Sequence, residues 1–150
     1  KLKGGTTVSF SFSTLRDDVA RIFESGATPP SKRLQAVQMV KETGITTGIS
    51  FMPLLPYISD TGEELEYAFK TFAERKVDYV MPATLTLFGN GKSDSKTLVL
   101  KAIEKYYPHL LPKYQRFFEN AHEMPRYYRD AFYKKMMKLS AEYHLSNRII

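Results

Sequence analysis

The chain has no cysteine and no tryptophan among its 150 residues. Without thiols it can form no disulfide, hold no metal or cluster through thiolate, and use no cysteine nucleophile. Its three histidines, His109, His122 and His144, are not at metal-ligand spacing, and no carboxylate cluster joins them. The longest apolar run, around Ile49 to Leu55, is far shorter than the ~20 residues a membrane helix needs. The opening Lys1-Leu2-Lys3-Gly4-Gly5 has no apolar stretch of the secretory kind. No Met stands first, so it reads as an entry into a protein already under way, and a cytoplasmic protein is expected. Gly89-Asn-Gly-Lys-Ser lacks phosphate-loop spacing and reads as a plain loop. Asp17-Asp18 and Glu63-Glu64 are adjacent pairs, which point apart on a helix and make poor acid/base couples.

What is present suits an ordinary folded domain. The hydrophobic fraction is 43% and the charged fraction 25%, enough for a core and against disorder. Charge is uneven. Residues 1–91 hold ten Lys/Arg and ten Asp/Glu, so the whole net charge of +6 falls in residues 92–150. A basic half of this kind is either a solvated helix surface or an attractor of nucleic acid.

Val8-Ser-Phe-Ser-Phe-Ser-Thr14 alternates strictly and predicts a strand with Val8, Phe10 and Phe12 on one face and Ser9, Ser11 and Ser13 on the other. A short charged helix, Arg16 to Glu24, follows, with Arg21 and Glu24 at i, i+3 spacing. Thr28 is expected to cap the next helix, with prolines in its first turn, and Gly44 to end it. Arg33 on that helix reads as a solvated residue or as a partner for a ligand carboxylate or phosphate. A second strand covers about Ile45 to Met52, with Thr46, Gly48, Ser50 and Met52 on its small, polar face. Thr61-Gly-Glu-Glu64 is a capping box opening a helix whose apolar positions are Leu65, Ala68, Phe69, Phe72 and Ala73. A third strand spans Val77 to about Leu87, and Ser95 is expected to cap a helix to about Tyr106. From Pro108 the pattern turns helical and aromatic, with a long helix from Pro125 to about Tyr143.

Strands alternating with amphipathic helices mean parallel pairing through right-handed crossovers. Three such units make half of a six-stranded barrel or a small doubly wound sheet. A solid barrel core is packed with branched apolar side chains. Ser9, Ser11, Ser13, Thr46 and Ser50 instead suggest a lumen for a polar ligand. The expected fold is therefore α/β: half of a partial (βα)6 TIM-like barrel over residues 1–107, with a helical extension over 108–150.

Over about residues 8–91 the order of features resembles the second half of the radical S-adenosylmethionine (SAM) barrel, in the branch of spore photoproduct lyase and the DNA repair photolyase-like proteins. The matching features are the serine-bearing strand, Arg21 and Glu24, Pro29-Pro30 with Arg33, Gly44-Ile45, and a strand closing in Pro53 and Pro56. Ser25 stands where that family often has proline. The resemblance implies a [4Fe–4S] cluster on three cysteines of an absent N-terminal half, and reductive cleavage of SAM to start radical chemistry, with lyase- or repair-like action on nucleic acid. It implies SAM contacts from Ser9, Ser11, Ser13 and Ser50, with Met52 and Pro53 flanking the adenine. Thr84 and Thr86 become candidates to face substrate. Neither cofactor is expected on this chain alone, which should be inactive.

Two rivals stand beside this reading: a non-catalytic α/β interaction or nucleic-acid-binding domain, and a phosphate-sugar enzyme on a complete small α/β fold. A half barrel also exposes strand edges, so self-association, element swapping or coverage of the edges by the C-terminal helices is expected.

Overall fold

The computed structural model describes residues 5–149. Three parallel strands, β1 (Thr7–Phe12), β2 (Thr46–Leu54) and β3 (Tyr79–Thr84), pair in the order β1-β2-β3. Between and after them run α1 (Asp17–Phe23), α2 (Pro30–Glu42), α3 (Gly62–Glu74), α4 (Ser95–Tyr106), a 3-10 turn (Pro108–Leu110), α5 (Leu111–Phe117) and α6 (Arg126–Glu142). Among the described residues the fold is thus α/β, with a three-stranded parallel sheet and six α-helices. Among the described residues, no helix is long and apolar enough to cross a membrane.

Period-two alternation sorts the sheet into two faces. Phe12, Ile49, Phe51, Leu54 and Val80 point to one side and meet Leu34 and Val37 of α2, Leu65, Phe69 and Phe72 of α3, and Phe132, Met136 and Leu139 of α6. The Phe72 ring lies edge-on to Phe51 at 5.3 Å and tilted against Phe12 at 5.7 Å. Such aromatic pairs add about 0.5–1.5 kcal/mol beyond the area they bury. The long C-terminal helix therefore completes the main core. A second cluster lies beyond the C-terminal ends of the strands, where Leu55, Ile58, Leu85 and Leu87 pack with Ile103, Tyr114 and Phe118.

Several local expectations are corrected. Thr28 does not cap α2. Pro29 is the N-cap residue and has no side-chain bond to give, and Asp17 of α1 instead accepts the Ser31 N–H at 2.9 Å and its hydroxyl at 2.5 Å. The capping box on α3 is half made: Thr61 Oγ1 accepts the Glu64 N–H at 3.3 Å, but Glu64 turns to Arg16 at 3.5 Å. Ser95 is the first residue of α4, not its cap, and its hydroxyl accepts the Phe88 N–H at 2.9 Å. Glu24 pairs with Arg33 at 2.5 Å instead of with Arg21, because α1 ends at Phe23 and the chain turns Glu24 toward α2. The first strand stops at Phe12, and the third runs from Tyr79 to Thr84 rather than from Val77 to Leu87.

The two sheet edges differ. The outer edge of β3 is met by the segment after α6, where Ser146 bridges Tyr79 in parallel and its carbonyl accepts the Val80 N–H at 2.8 Å. Among the described residues β1 pairs with β2 alone.

Gly48 is required by its neighbour. It is the register partner of Tyr79, whose ring lies across it, and a Cβ at 48 would stand 2.0 Å from Tyr79 Cζ. Gly48→Ala is therefore expected to destabilise the fold by about 1–3 kcal/mol through overpacking. Urea unfolding should show that the loss is strongly non-additive with Tyr79→Ala, since the two changes share one space.

Candidate functional site

The face of the sheet away from α2, α3 and α6 carries the residues that the serine pattern singles out. Register sets them in rows. Ser9, Gly48 and Tyr79 form the first row, and Ser11, Ser50 and Met81 the second. Ser9 and Ser11 are exposed, as is Met52, while Ser50 and Met81 are half-buried. In the first row the Tyr79 hydroxyl hydrogen-bonds Ser9 Oγ, and its buried ring fills the space over Gly48. The second row keeps its hydroxyls free of partners among the described residues.

The other candidate residues lie around this face. Ser13 sits just past β1, is buried, and its hydroxyl finds no partner among the described residues. Met52 and Pro53 lie on the exposed surface where the β2–β3 pairing shifts register between Phe51 and Leu54. Thr84 stands opposite Leu54, a residue of the helix-side core, so register puts it on the helix side of the sheet. Thr86 lies beyond β3, is exposed, and bridges Glu123. The rows thus bring Ser9, Ser11 and Ser50 together and leave Thr84 and Thr86 apart from them.

Arg33 is neither free nor solvated. Its side chain is 15% exposed, its Nη2 is 2.5 Å from Glu24, its Nη1 donates to the Ser11 carbonyl at 2.5 Å, and its guanidinium stands 5.0 Å over the Phe12 ring. It ties α2 to the end of β1.

Two polar clamps hold the ends of β2. At its start Asp78 accepts from Lys41 Nζ at 2.6 Å and from the Thr47 N–H at 2.7 Å, and the Asp78 N–H returns a bond to the Thr47 carbonyl at 2.8 Å. Burial pushes the Asp78 carboxyl up, but the bonds from Lys41 and Thr47 outweigh it and hold the group below its ordinary value. Beyond the end of β2, the segment 55–61 is pinned by tyrosines from α5 and α6. Tyr114 donates to the Pro56 carbonyl at 2.7 Å, and Tyr128 donates to Asp60. Asp60 also accepts the Tyr57 N–H at 2.8 Å, which holds Tyr57 at φ 63°. That left-handed conformation is uncommon outside glycine and asparagine. Burial raises the Asp60 carboxyl despite these donors, and burial followed by Asp60 raises the Tyr128 hydroxyl. This pinning was not legible in the sequence, because the tyrosines lie 58 and 68 residues from their acceptors.

The chain's own residues do not fit an iron–sulfur cluster. It has no thiolate, and among the described residues no three His, Asp or Glu side chains are grouped to hold a metal. The second row offers two serine hydroxyls, Ser11 and Ser50, side by side on the face away from the helices.

The chain is 24% identical over 140 residues to the uncharacterized protein Rv2578c of Mycobacterium tuberculosis and, equally, to the uncharacterized protein Mb2609c of Mycobacterium bovis. Each match covers 93% of this chain and 40% of the relative. The uncharacterized protein ORF301 of Acidianus two-tailed virus is 33% identical over 81 residues, 52% of this chain and 27% of that protein. No protein-family profile and no solved structure matches the chain. The chain therefore spans less than half the length of these relatives.

The two acids give opposite pH signatures. A lowered carboxyl stabilises above its unfolded pKa and loses that contribution as pH falls through its folded value; a raised one does the reverse. Asp78→Asn is expected to cost about 1–3 kcal/mol at pH 7, with the deficit shrinking as pH falls through the carboxylate range. Asp60→Asn should gain on the wild type as pH rises from about the ordinary carboxylate range toward 7. Thermal melts of both variants between pH 3.5 and 7 check the two signs.

Proposed function

We propose that this chain is the second half of a radical SAM barrel, the half that offers polar contacts to SAM and faces substrate. The observation that carries the reading is the one-sided sheet. Three parallel strands bury one face under helices and keep Ser9, Ser11 and Ser50 on the other. Ligands of open parallel α/β sheets sit beyond the strands' C-terminal ends. Here that end of the open face is flanked by Met52, Pro53 and the pinned segment 55–61. Completion as a partial (βα)6 barrel requires further strands, and the β1 edge, which pairs with no other strand among the described residues, is where they would join.

SAM, when bound beside a reduced cluster, supplies a radical able to abstract hydrogen from substrate. This chain's part is to bind and orient. Ser11 and Ser50 would hydrogen-bond the ligand's ribose or methionyl groups, and Met52 and Pro53 would pack on its adenine. Ser9 acts through Tyr79, and Ser13 has a free hydroxyl at the strand's end. The cysteines belong to the missing N-terminal half, so this chain alone is inactive, and the assembled enzyme works in the cytoplasm. Lyase- or repair-like action on nucleic acid follows from the family resemblance and the basic C-terminal half.

The decisive test is the parent polypeptide. Its sequence upstream should contain Cys-x-x-x-Cys-x-x-Cys. The purified, reconstituted full-length protein should form 5′-deoxyadenosine and methionine from SAM in the presence of dithionite. Ser11→Val with Ser50→Val should raise the KM for SAM by about tenfold, the loss of ~1.4 kcal/mol expected for one or two hydrogen bonds. A parent without the cysteine motif sinks the reading.

One observation favours a second reading, a nucleic-acid-binding domain. Lys101 and Lys105 of α4 and Lys113 and Arg116 of α5 are exposed and make no ion pair among the described residues. Tyr106 and Tyr57 lie beside them, with Lys105 5.1 Å and Lys113 4.3 Å from the ring centres. If this face binds single strands, the isolated chain will bind an oligonucleotide with an affinity that falls steeply with salt. Replacing the four basic residues with Gln will flatten that slope.

A further inference from the structure

Away from the open face, the segment before α6 folds back on the chain beyond β3. The Leu87 N–H donates to the His122 carbonyl at 2.9 Å, and Thr86 bridges Glu123. With the first turn of α6 this segment walls a cleft of about 500 Å³. Phe117, Ala121 and Pro125 give it an apolar side, and His122, Glu123, Arg126 and Arg129 a polar one.

The polar groups are arranged before any ligand arrives. His122 Nδ1 lies 3.1 Å from the Leu87 carbonyl oxygen. A carbonyl only accepts, so Nδ1 carries the proton and Nε2 is left for another partner. The ring is held flat against Phe88, with centres 4.7 Å apart. Glu123 holds one nitrogen of the Arg129 guanidinium, Nη1, at 2.5 Å, while Arg129 Nε has no acceptor among the described residues. Arg126, on the same turn, has a side chain 88% exposed and reaches Asp130 only at 3.7 Å. The wall itself carries two guanidinium groups and one carboxylate, and Asp130, which faces Arg126 at 3.7 Å, is not part of it.

We propose that this cleft binds a phosphomonoester carried on an apolar or aromatic body. A dianionic head with three oxygens matches two guanidinium groups, which favour phosphate through multiple charged hydrogen bonds. Phe117, Ala121 and Pro125 form the apolar wall that receives the body. Glu123 fixes Arg129 in place and also competes with the ligand for it. The inference does not depend on the radical SAM reading.

Phenyl phosphate, titrated into the chain and followed by calorimetry and by the His122 ring resonances, tests it. Saturable binding that moves the His122 signals is expected. Arg129→Gln should weaken it about tenfold, Arg126→Gln several-fold, and Arg21→Gln on α1 not at all. Glu123→Gln should tighten binding, an effect that a merely structural glutamate would not give. Arg126 is so exposed that its variant will fold even if Arg129→Gln does not. The proposal is overturned by an absence of saturable binding, by affinity unchanged in Arg126→Gln and Glu123→Gln, or by benzoate binding as tightly as phenyl phosphate.

Discussion

Everything in this fold depends on the in-and-out alternation of β1, and of β2 as far as Phe51, against a single helical layer. Phe12 and Phe51 both reach Phe72 of α3, and Ile49 is sealed from solvent between them and α2. A slip of one residue would turn these rings to water and bring serines into the core, so the register is fixed by burial. The same alternation produces the open face. Because Ser9, Ser11 and Ser50 occupy the intervening positions, no second apolar layer is demanded there. The sheet stays available for something polar without any cost to the core.

The two edges of the sheet carry a related message. An unpaired strand edge invites association, and proteins manage it by covering or blocking it. On the β3 side the chain supplies the cover itself, through Ser146 and the packing of α6. On the β1 side Arg33 satisfies the Ser11 carbonyl while held by Glu24. In a parallel ladder a residue's N–H and C=O turn toward the same neighbour. Arg33 on Ser11 therefore marks Thr7, Ser9 and Ser11 as the residues whose backbone faces outward. Among the described residues the sheet is therefore met by its own tail along β3 and by a side chain, not a strand, along β1.

Much of this was legible in the sequence, for stated physical reasons. The alternation of Val8 to Phe12 and the Leu65, Ala68, Phe69, Phe72 series are local periodicities, and the strand, the helix and their faces follow from them. Caps were less legible. Thr28 and Ser95 have the right chemistry, but Asp17 from another helix serves α2, and Ser95 is drawn back to Phe88. The Arg21–Glu24 spacing suited an intrahelical pair, yet α1 ended one residue early and freed Glu24 for Arg33. Tyr79 was the residue of the open face that periodicity passed over. Its neighbour Gly48 was the available signal, since a glycine inside a strand marks close approach by another group.

Tyr79 also gives the open face a direction. Its ring fills the first row above Gly48 and its hydroxyl takes Ser9, so the end near the strand starts is occupied by the protein itself. At the other end, Tyr114 and Tyr128 fix the segment after β2, and Asp60 holds Tyr57 in a left-handed turn. Strained backbone of this sort persists only where surrounding contacts over-determine it, and it gathers at sites where position matters. The protein's own side chains therefore occupy the first row of the open face and leave the Ser11, Ser50 and Met81 row uncovered by Tyr79. Two features unrelated in sequence, a tyrosine plug at the strand starts and a tyrosine-pinned loop after β2, thus fix the sheet at both ends.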